Sequence, residues 1–239
     1  MTVSRGHGTL EDHNCGLQAM RAFSSILFSV SALLLSACGD SHGTAAVVGG
    51  STSAPQDEVV LVAMAGQHQV WVYLSEHEKI GPFAGSGRED HVDGSPPQSA
   101  LAQPSGLALF GRYLFIVDAE TSSVRAFDLG ERRVGTVVGR GLDDHGDVDG
   151  APDQVRLQHP LGIAVAEGEL YVADTLNGKI KAISLQGGQA RTLAGQDGSL
   201  CDPGGLAVAG DFLLVADTSH HEIKAIHRQT GQVRALRFH

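Results

Sequence analysis

Pro160-Leu161-Gly162-Ile163-Ala164, then Leu170-Tyr171-Val172-Ala173-Asp174-Thr175, then Ile180-Lys181-Ala182-Ile183 is the stretch on which the fold turns. It has two further copies. One reads Pro104-Ser105-Gly106-Leu107-Ala108, Ile116-Val117-Asp118 and Val124-Arg125-Ala126-Phe127; the other reads Pro203-Gly204-Gly205-Leu206-Ala207, Val215-Ala216-Asp217-Thr218 and Ile223-Lys224-Ala225-Ile226. In each copy the proline precedes the aspartate by 14 residues, and the aspartate precedes the basic residue by 7. A degenerate copy lies upstream, where Val62-Ala63-Met64 is followed by Val70-Trp71 with Met64 in the aspartate position. Gly85, Gly139 and Gly195 then each fall 14 residues after Trp71, Arg125 and Lys181. Self-similarity at a fixed period is the signature of a repeat architecture.

Each unit reads as a four-stranded antiparallel meander, lettered a to d. Strand a holds Gly-Leu-Ala, b ends at the aspartate, c carries the basic residue and d ends near Thr-Leu-Ala-Gly. Small residues after the repeat glycines Gly106, Gly162 and Gly205 suit a crowded inner strand, and the alternation in Ile180-Lys181-Ala182-Ile183 suits an outer strand with one wet face. On that pattern Lys79, Arg125, Lys181 and Lys224 are expected to cover exposed strand surface. Thirty-one glycines in 239 residues fit many short strands joined by tight turns. Such a unit cannot bury both sheet faces alone and must stack on its neighbours, which predicts an all-β propeller. Three units are complete; the first lacks strand a, because Ser51 to Gln56, where it should fall, is turn-like and contains Pro55. An open propeller leaves sheet edges that invite self-association.

Pro-x-Gly-[apolar]-Ala followed by Tyr-Val-Ala-Asp-Thr and Ile-Lys-x-Ile resembles the NHL repeat. More narrowly, Asp147-Val148-Asp149-Gly150 through Leu157-Gln158-His159-Pro160, with Leu170 to Asp174 and Lys179 to Lys181, is similar to the propeller of bacterial thioredoxin-like proteins carrying NHL repeats. The resemblance covers about residues 59–239. It implies a propeller with more blades than are counted here. The chain has no Cys-x-x-Cys, so a redox role does not carry over.

Ahead of the repeats, Arg21 precedes a mostly apolar stretch from Ala22 to Leu35, too short to span a bilayer comfortably and suited to the core of a secretory signal. Leu35-Ser36-Ala37-Cys38 resembles the lipobox of bacterial lipoproteins. The resemblance implies a signal peptide over 1–37, whose true start is Met20 if the acidic Glu11 and Asp12 lie outside it. It further implies lipidation at Cys38, a flexible linker over 38–58, the propeller over 59–239, and a bacterial envelope location with the bilayer as partner through Cys38. Loss of residues 1–37 removes Arg5, Arg21, Glu11 and Asp12 together, so the net charge stays at −10. That acidity repels phosphate backbones and disfavours nucleic acid as a partner. Cys15 leaves with the signal, Cys38 is lipidated, and Cys201 is read as a small buried hydrophobe.

Chemistry, if any, is expected where the b-to-c turns and d-to-a loops gather. That face is expected to hold the repeat aspartates Asp118, Asp174 and Asp217, with Asn177 and His220-His221. It also takes the loop residues Glu89, Asp90, His91, Asp93, Asp143, Asp144, His145, Asp147 and Asp149. The aspartates recur in every full unit, which fits carboxylates accepting N–H bonds across a turn; a catalytic residue rarely needs copies. His145-Gly146-Asp147-Val148-Asp149-Gly150 resembles the start of a calcium loop, but Arg156 stands at its twelfth position, where a bidentate glutamate belongs. No cofactor is therefore expected, with calcium the alternative. Adjacent His220 and His221 point apart on an extended segment, a poor start for zinc. Nucleophile-elbow, metalloprotease-helix and phosphate-loop motifs find no match. The expected function is a membrane-anchored, non-catalytic scaffold binding a protein, peptide or small ligand. Against it stands a propeller-face lyase or hydrolase with a metal held by the acidic and histidine loops, by resemblance to gluconolactonase-like and streptogramin-lyase-like proteins. A degenerate remnant is the third possibility.

Overall fold

The computed structural model describes residues 59–237 and, before them, the strands Ser31–Leu35 and Thr44–Gly49. Every sheet is an antiparallel meander in chain order. The first contains β1 (Ser31–Leu35), β2 (Thr44–Gly49), β3 (Val59–Met64), β4 (Gln69–Leu74) and β5 (Lys79–Ala84). The second contains β6 (Pro104–Phe110), β7 (Tyr113–Asp118), β8 (Ser123–Asp128) and β9 (Arg133–Val138). The third runs β10 (Ile163–Ala166), β11 (Glu169–Asp174), β12 (Lys179–Ser184) and β13 (Ala190–Ala194). The fourth runs β14 (Pro203–Ala209), β15 (Phe212–Asp217), β16 (Glu222–His227) and β17 (Val233–Ala235).

One expectation is corrected. The first blade does not lack strand a: Thr44–Gly49, inside the span read as linker, pairs antiparallel with β3 from Thr44 opposite Ala63 to Val48 opposite Val59. The strand lies upstream of Ser51–Gln56, and its Ala-Val run carries none of the Pro-x-Gly signature that marks the other inner strands. The end of the apolar stretch, Ser31–Leu35, adds a fifth strand beyond it. Cys38 lies outside the described residues.

Between the sheets lie three apolar layers, each built from one face of a blade and the opposite face of the next. Leu61, Ala63 and Val70 of the first blade meet Leu107, Leu114, Ile116 and Phe127 of the second. Phe115, Val117 and Val124 meet Ile163, Leu170, Val172 and Ile183. Tyr171, Ala173 and Ile180 meet Leu206, Leu213, Val215 and Ile226. Alternation along strand b sends odd and even residues to the two neighbours, so both faces of a middle blade are buried. The faces at the ends differ: Leu214, Ala216 and Ile223 are only half-buried, as are Val60, Val62 and Trp71.

Inner strands make contact in the order β2, β6, β10, β14, and no comparable contact joins β14 back to β2 among the described residues. The repeat glycines register the same asymmetry. A Cβ on Gly106 would stand 2.7 Å from the Leu161 carbonyl oxygen, and one on Gly162 would stand 2.0 Å from that of Gly204, so the inner strands approach as only glycine allows. Gly205, in the fourth blade, would meet nothing nearer than 4.0 Å. The four sheets are β-propeller blades arranged as an open arc.

Candidate functional site

A bulge recurs where strands c and d pair, between Val70 and Trp71, Val124 and Arg125, and Ile180 and Lys181. A bulge re-aims the side chain it carries. Here Arg125 and Lys181 turn inward and have no exposed surface; Lys224, in a strand pair whose register runs without that shift, is nearly enclosed as well. This corrects the expectation that they cover exposed strands; only Lys79, which begins β5, is exposed.

A buried cation needs fixed anionic partners, and the acidic loops supply them. Asp93 sits in the loop between β5 and β6. Its Oδ1 accepts from the Arg125 guanidinium at 2.6 Å and the Thr136 hydroxyl at 2.9 Å, and its Oδ2 accepts from the Thr136 N–H at 3.1 Å. Asp149, in the loop between β9 and β10, repeats the pattern. It takes Lys181 Nζ at 2.7 Å, the Thr192 hydroxyl at 3.0 Å and the Thr192 N–H at 2.8 Å. The glycine after each aspartate exchanges two backbone hydrogen bonds with strand d, Gly94 with Val134 and Gly150 with Ala190. Each loop thus sends an arm from one blade onto the outer edge of the next, held by a carboxylate, a cation and a short bridge.

Thr136 and Thr192 escaped the sequence-based expectations, although a signal was present. Asp93 precedes Arg125, and Asp149 precedes Lys181, by the same 32 residues, and both precede their threonine by 43.

The other loop candidates do not converge. Asp147 joins Asp149 on Lys181 at 2.6 Å and also pairs with Lys179. Asp144 pairs with Arg156, which donates further to the carbonyls of Asp153, Gln154 and Val155, so a cation organises the segment that resembled a calcium loop. Asp90 accepts from the His91 N–H, and His91 Nε2 lies 3.3 Å from the Thr136 hydroxyl. Glu89, Asp143 and His145 are exposed. Among the described residues no three histidine, cysteine, aspartate or glutamate side chains gather as a metal site would require.

The repeat aspartates also accept backbone N–H groups, but not across the b-to-c turn. Asp118 takes Ala102 N, Asp174 takes Gln158 N and Asp217 takes Cys201 N, each at 2.7 Å and each 16 residues upstream, at the entry to the blade's own inner strand. The second oxygen binds the residue three positions on: Thr121, Asn177 or His220. Asp118 also reaches Arg125 at 3.4 Å, and Asp217 reaches Lys224 at 2.5 Å. His221 only closes the turn, donating its N–H to the Thr218 carbonyl. Cys201 is half-buried, not enclosed as expected.

Electrostatics follow enclosure. Burial pushes Asp118 up to about 7 despite Arg125, and Asp174 up to about 6 despite Asn177 and the Gln158 N–H. At Asp217 burial also pushes upward, but Lys224, the Cys201 N–H and His220 outweigh it and hold the carboxyl low. Asp93, Asp147 and Asp149 likewise sit below the usual carboxylate range, burial being outweighed by Arg125 or by the lysines with help from threonine. The Lys181 ammonium is raised, its two carboxylates overcoming burial. His91 is lowered by burial and by Arg125.

Blades of this kind and arrangement define a β-propeller, and residues 200–226, spanning most of the fourth blade, match the NHL repeat. The chain is similar to NHL repeat-containing protein 2 of Gallus gallus, with 40% identity over 173 residues, 62% of this chain and 24% of that protein. It thus spans about a quarter of that curated relative's length. Among solved structures it superposes on a chain of the nidogen/laminin complex with a TM-score of 0.56 and 20% identity, covering 75% of this chain and 60% of the other. An auxiliary nutrient binding protein from Bacteroides ovatus gives a TM-score of 0.56 at 12% identity, covering 77% and 47%. At these identities the solved structures speak to the fold.

Proposed function

We propose that the chain is a non-catalytic binding propeller, displayed at a bacterial cell envelope by a lipid on Cys38. The carrying observation is the use made of the acidic loops: Asp93, Asp147 and Asp149, the carboxylates an enzyme face would draw on, are each bound to a side-chain cation of the next blade. They are mortar between blades. What the arc offers outward is sheet edge, loop and half-covered blade face. The fold relatives include an auxiliary nutrient binding protein and a chain of the nidogen/laminin complex.

Anchoring is supported by the first blade. Cleavage ahead of Cys38 removes β1 and leaves β2 to β5, which gives the first blade the same four strands as the other three. The test is labelling of the full chain with a clickable palmitate analogue in a bacterial host. Label and membrane fractionation lost together in Cys38→Ala support the anchor; an unlabelled wild-type chain refutes it.

A further inference from the structure

The joint between neighbouring blades is built three times from the same repeat positions, and each end of the arc carries one half of it. On the outgoing side Phe115, Val117 and Val124 of the second blade, and Tyr171, Ala173 and Ile180 of the third, are buried under the blade that follows. Their counterparts in the fourth blade are Leu214, Ala216 and Ile223, equally apolar and only half-buried. On the incoming side Leu114, Ile116, Phe127 and Val134 of the second blade cover the first. The strand registers place Val60, Val62, Tyr73 and Ile80 at the same positions of the first blade. There the first three are half-buried, and Ile80 is 53% exposed where Val134 is 0%.

Two further features of the fourth blade point the same way. None of Gly106, Gly162 and Gly205 has a positive φ that would call for glycine. The first two are needed because the next inner strand comes to 2.7 and 2.0 Å from the Cβ they lack; Gly205 leaves the same approach open, with nothing nearer than 4.0 Å. The turn after strand b supplies the second feature. His68 Nδ1 accepts the Gln103 N–H at 3.3 Å, and the Ser122 hydroxyl accepts the His159 N–H at 3.2 Å, each at the entry to the next blade. His221 holds that position in the fourth blade with the backbone of His68, φ 54° and ψ 37° in both, and is exposed. Across the third joint the Thr175 hydroxyl donates to the Pro203 carbonyl at 2.8 Å, and its counterpart Thr218 is exposed as well.

A joint of this kind holds without an acidic arm. Among the described residues the loop between β13 and β14 makes no bridge to strand d of the fourth blade like those of Gly94 and Gly150, yet the apolar layer between the third and fourth blades is complete. The first blade suits an unclasped joint too, because Trp71 and Pro82 pair where Arg125 and Thr136 do, so neither a cation nor a threonine is present to receive an arm.

We infer that the outgoing face of the fourth blade docks on the incoming face of the first blade of a second copy of this chain, head to tail. The occupant is a second copy because both unpaired halves of the joint belong to one chain, and the same positions already fit each other three times within it. Such a contact is heterologous: copies close into a ring where its rotation permits and otherwise run on as a filament. The inference goes beyond the binding reading, does not depend on the anchor and leaves the loop face free.

The test is sedimentation velocity on the full chain, made by cell-free synthesis so that no lipid is attached, at concentrations up to about 100 µM. Wild type is expected to pass from monomer to dimer or larger species as concentration rises. Ile80→Glu sets a carboxylate in the incoming face and Gly205→Val obstructs the outgoing one, so each should weaken association at least about tenfold. Both positions are open in the single chain, so at dilution both variants should keep the wild-type urea midpoint. Mixed together, the two should pair one to one with wild-type affinity, because Ile80→Glu keeps an intact fourth-blade face and Gly205→Val an intact first-blade face. His221→Ala should weaken association about fivefold, as loss of one hydrogen bond would. A wild-type chain still monomeric at the highest concentration, association indifferent to both face substitutions, or a mixture no better than either variant alone overturns the inference, and none of these touches the palmitate result.

Discussion

Replacing Asp149 by alanine removes three hydrogen bonds at once, one to a buried ammonium and two to Thr192. Abandoning a buried charge altogether costs roughly 3 to 5 kcal/mol. Here Lys181 keeps Asp147 at 2.6 Å and the Thr192 hydroxyl at 2.8 Å, and the Asp149 side chain is 42% exposed, so water screens part of the loss. The cost should therefore be about 2 kcal/mol, the net worth of one charge-assisted bond plus a fraction of two ordinary ones. For a domain of this size that lowers the melting temperature by about 4–8 °C. The assay is thermal and urea unfolding of the full chain, with Asp143→Ala as control, because Asp143 is an exposed residue of the same loop. The control should stay within about 0.5 kcal/mol. In a Lys181→Met background the Asp149→Ala penalty should fall by about 1 kcal/mol, the coupling expected of contacting groups. If Asp149→Ala behaves like Asp143→Ala, the acidic arm is not a clasp.

Other consequences can be checked separately. Asp118 is raised from 3.8 to about 7 on folding, so the folded state holds the proton that the unfolded state releases; stability should fall as pH rises from about 4 to about 7. Asp118→Asn should flatten that window in denaturant titrations at successive pH values. Asp93 and Asp149 are lowered, so their contribution is present above the unfolded value and disappears as pH falls below about 4, which acid unfolding of Asp149→Ala against wild type should reveal as a smaller loss. Gly162→Ala drives a Cβ to 2.0 Å from the Gly204 carbonyl and should cost at least about 3 kcal/mol or prevent folding, whereas Gly205→Ala should stay within about 1 kcal/mol. Comparing the two soluble yields and urea midpoints tests whether the fourth blade has an uncovered face. Millimolar calcium should shift the melting temperature by less than about 1 °C, because Lys181 already occupies the space between Asp147 and Asp149.

What the chain shows to a reader of its residues is what recurs locally. Pro-x-Gly, the aspartate closing strand b and the basic residue 7 positions later mark three blades, since each recurs at a fixed spacing in every full unit. β2 is hidden because Thr44–Gly49 carries no such mark. The burial of Arg125 and Lys181 was hidden for another reason. Alternation along a strand cannot tell solvent from a carboxylate delivered by another blade, and the bulges that redirect these side chains leave no trace in a pattern of period two. The acidic loops were recognised as the chain's unusual feature, yet their charge suggests a metal when taken alone. Only the placement of a lysine between Asp147 and Asp149 shows what they hold.

Amide exchange followed by NMR on the full chain tests most directly the claim that two blades are clasped and the last is not. The N–H groups of Val134, Thr136, Ala190 and Thr192, bonded to the arms, should exchange at least about a hundredfold more slowly than those of Val233 and Ala235. Equal protection at all six in the free chain would contradict the account, since Val233 and Ala235 would then already have a partner.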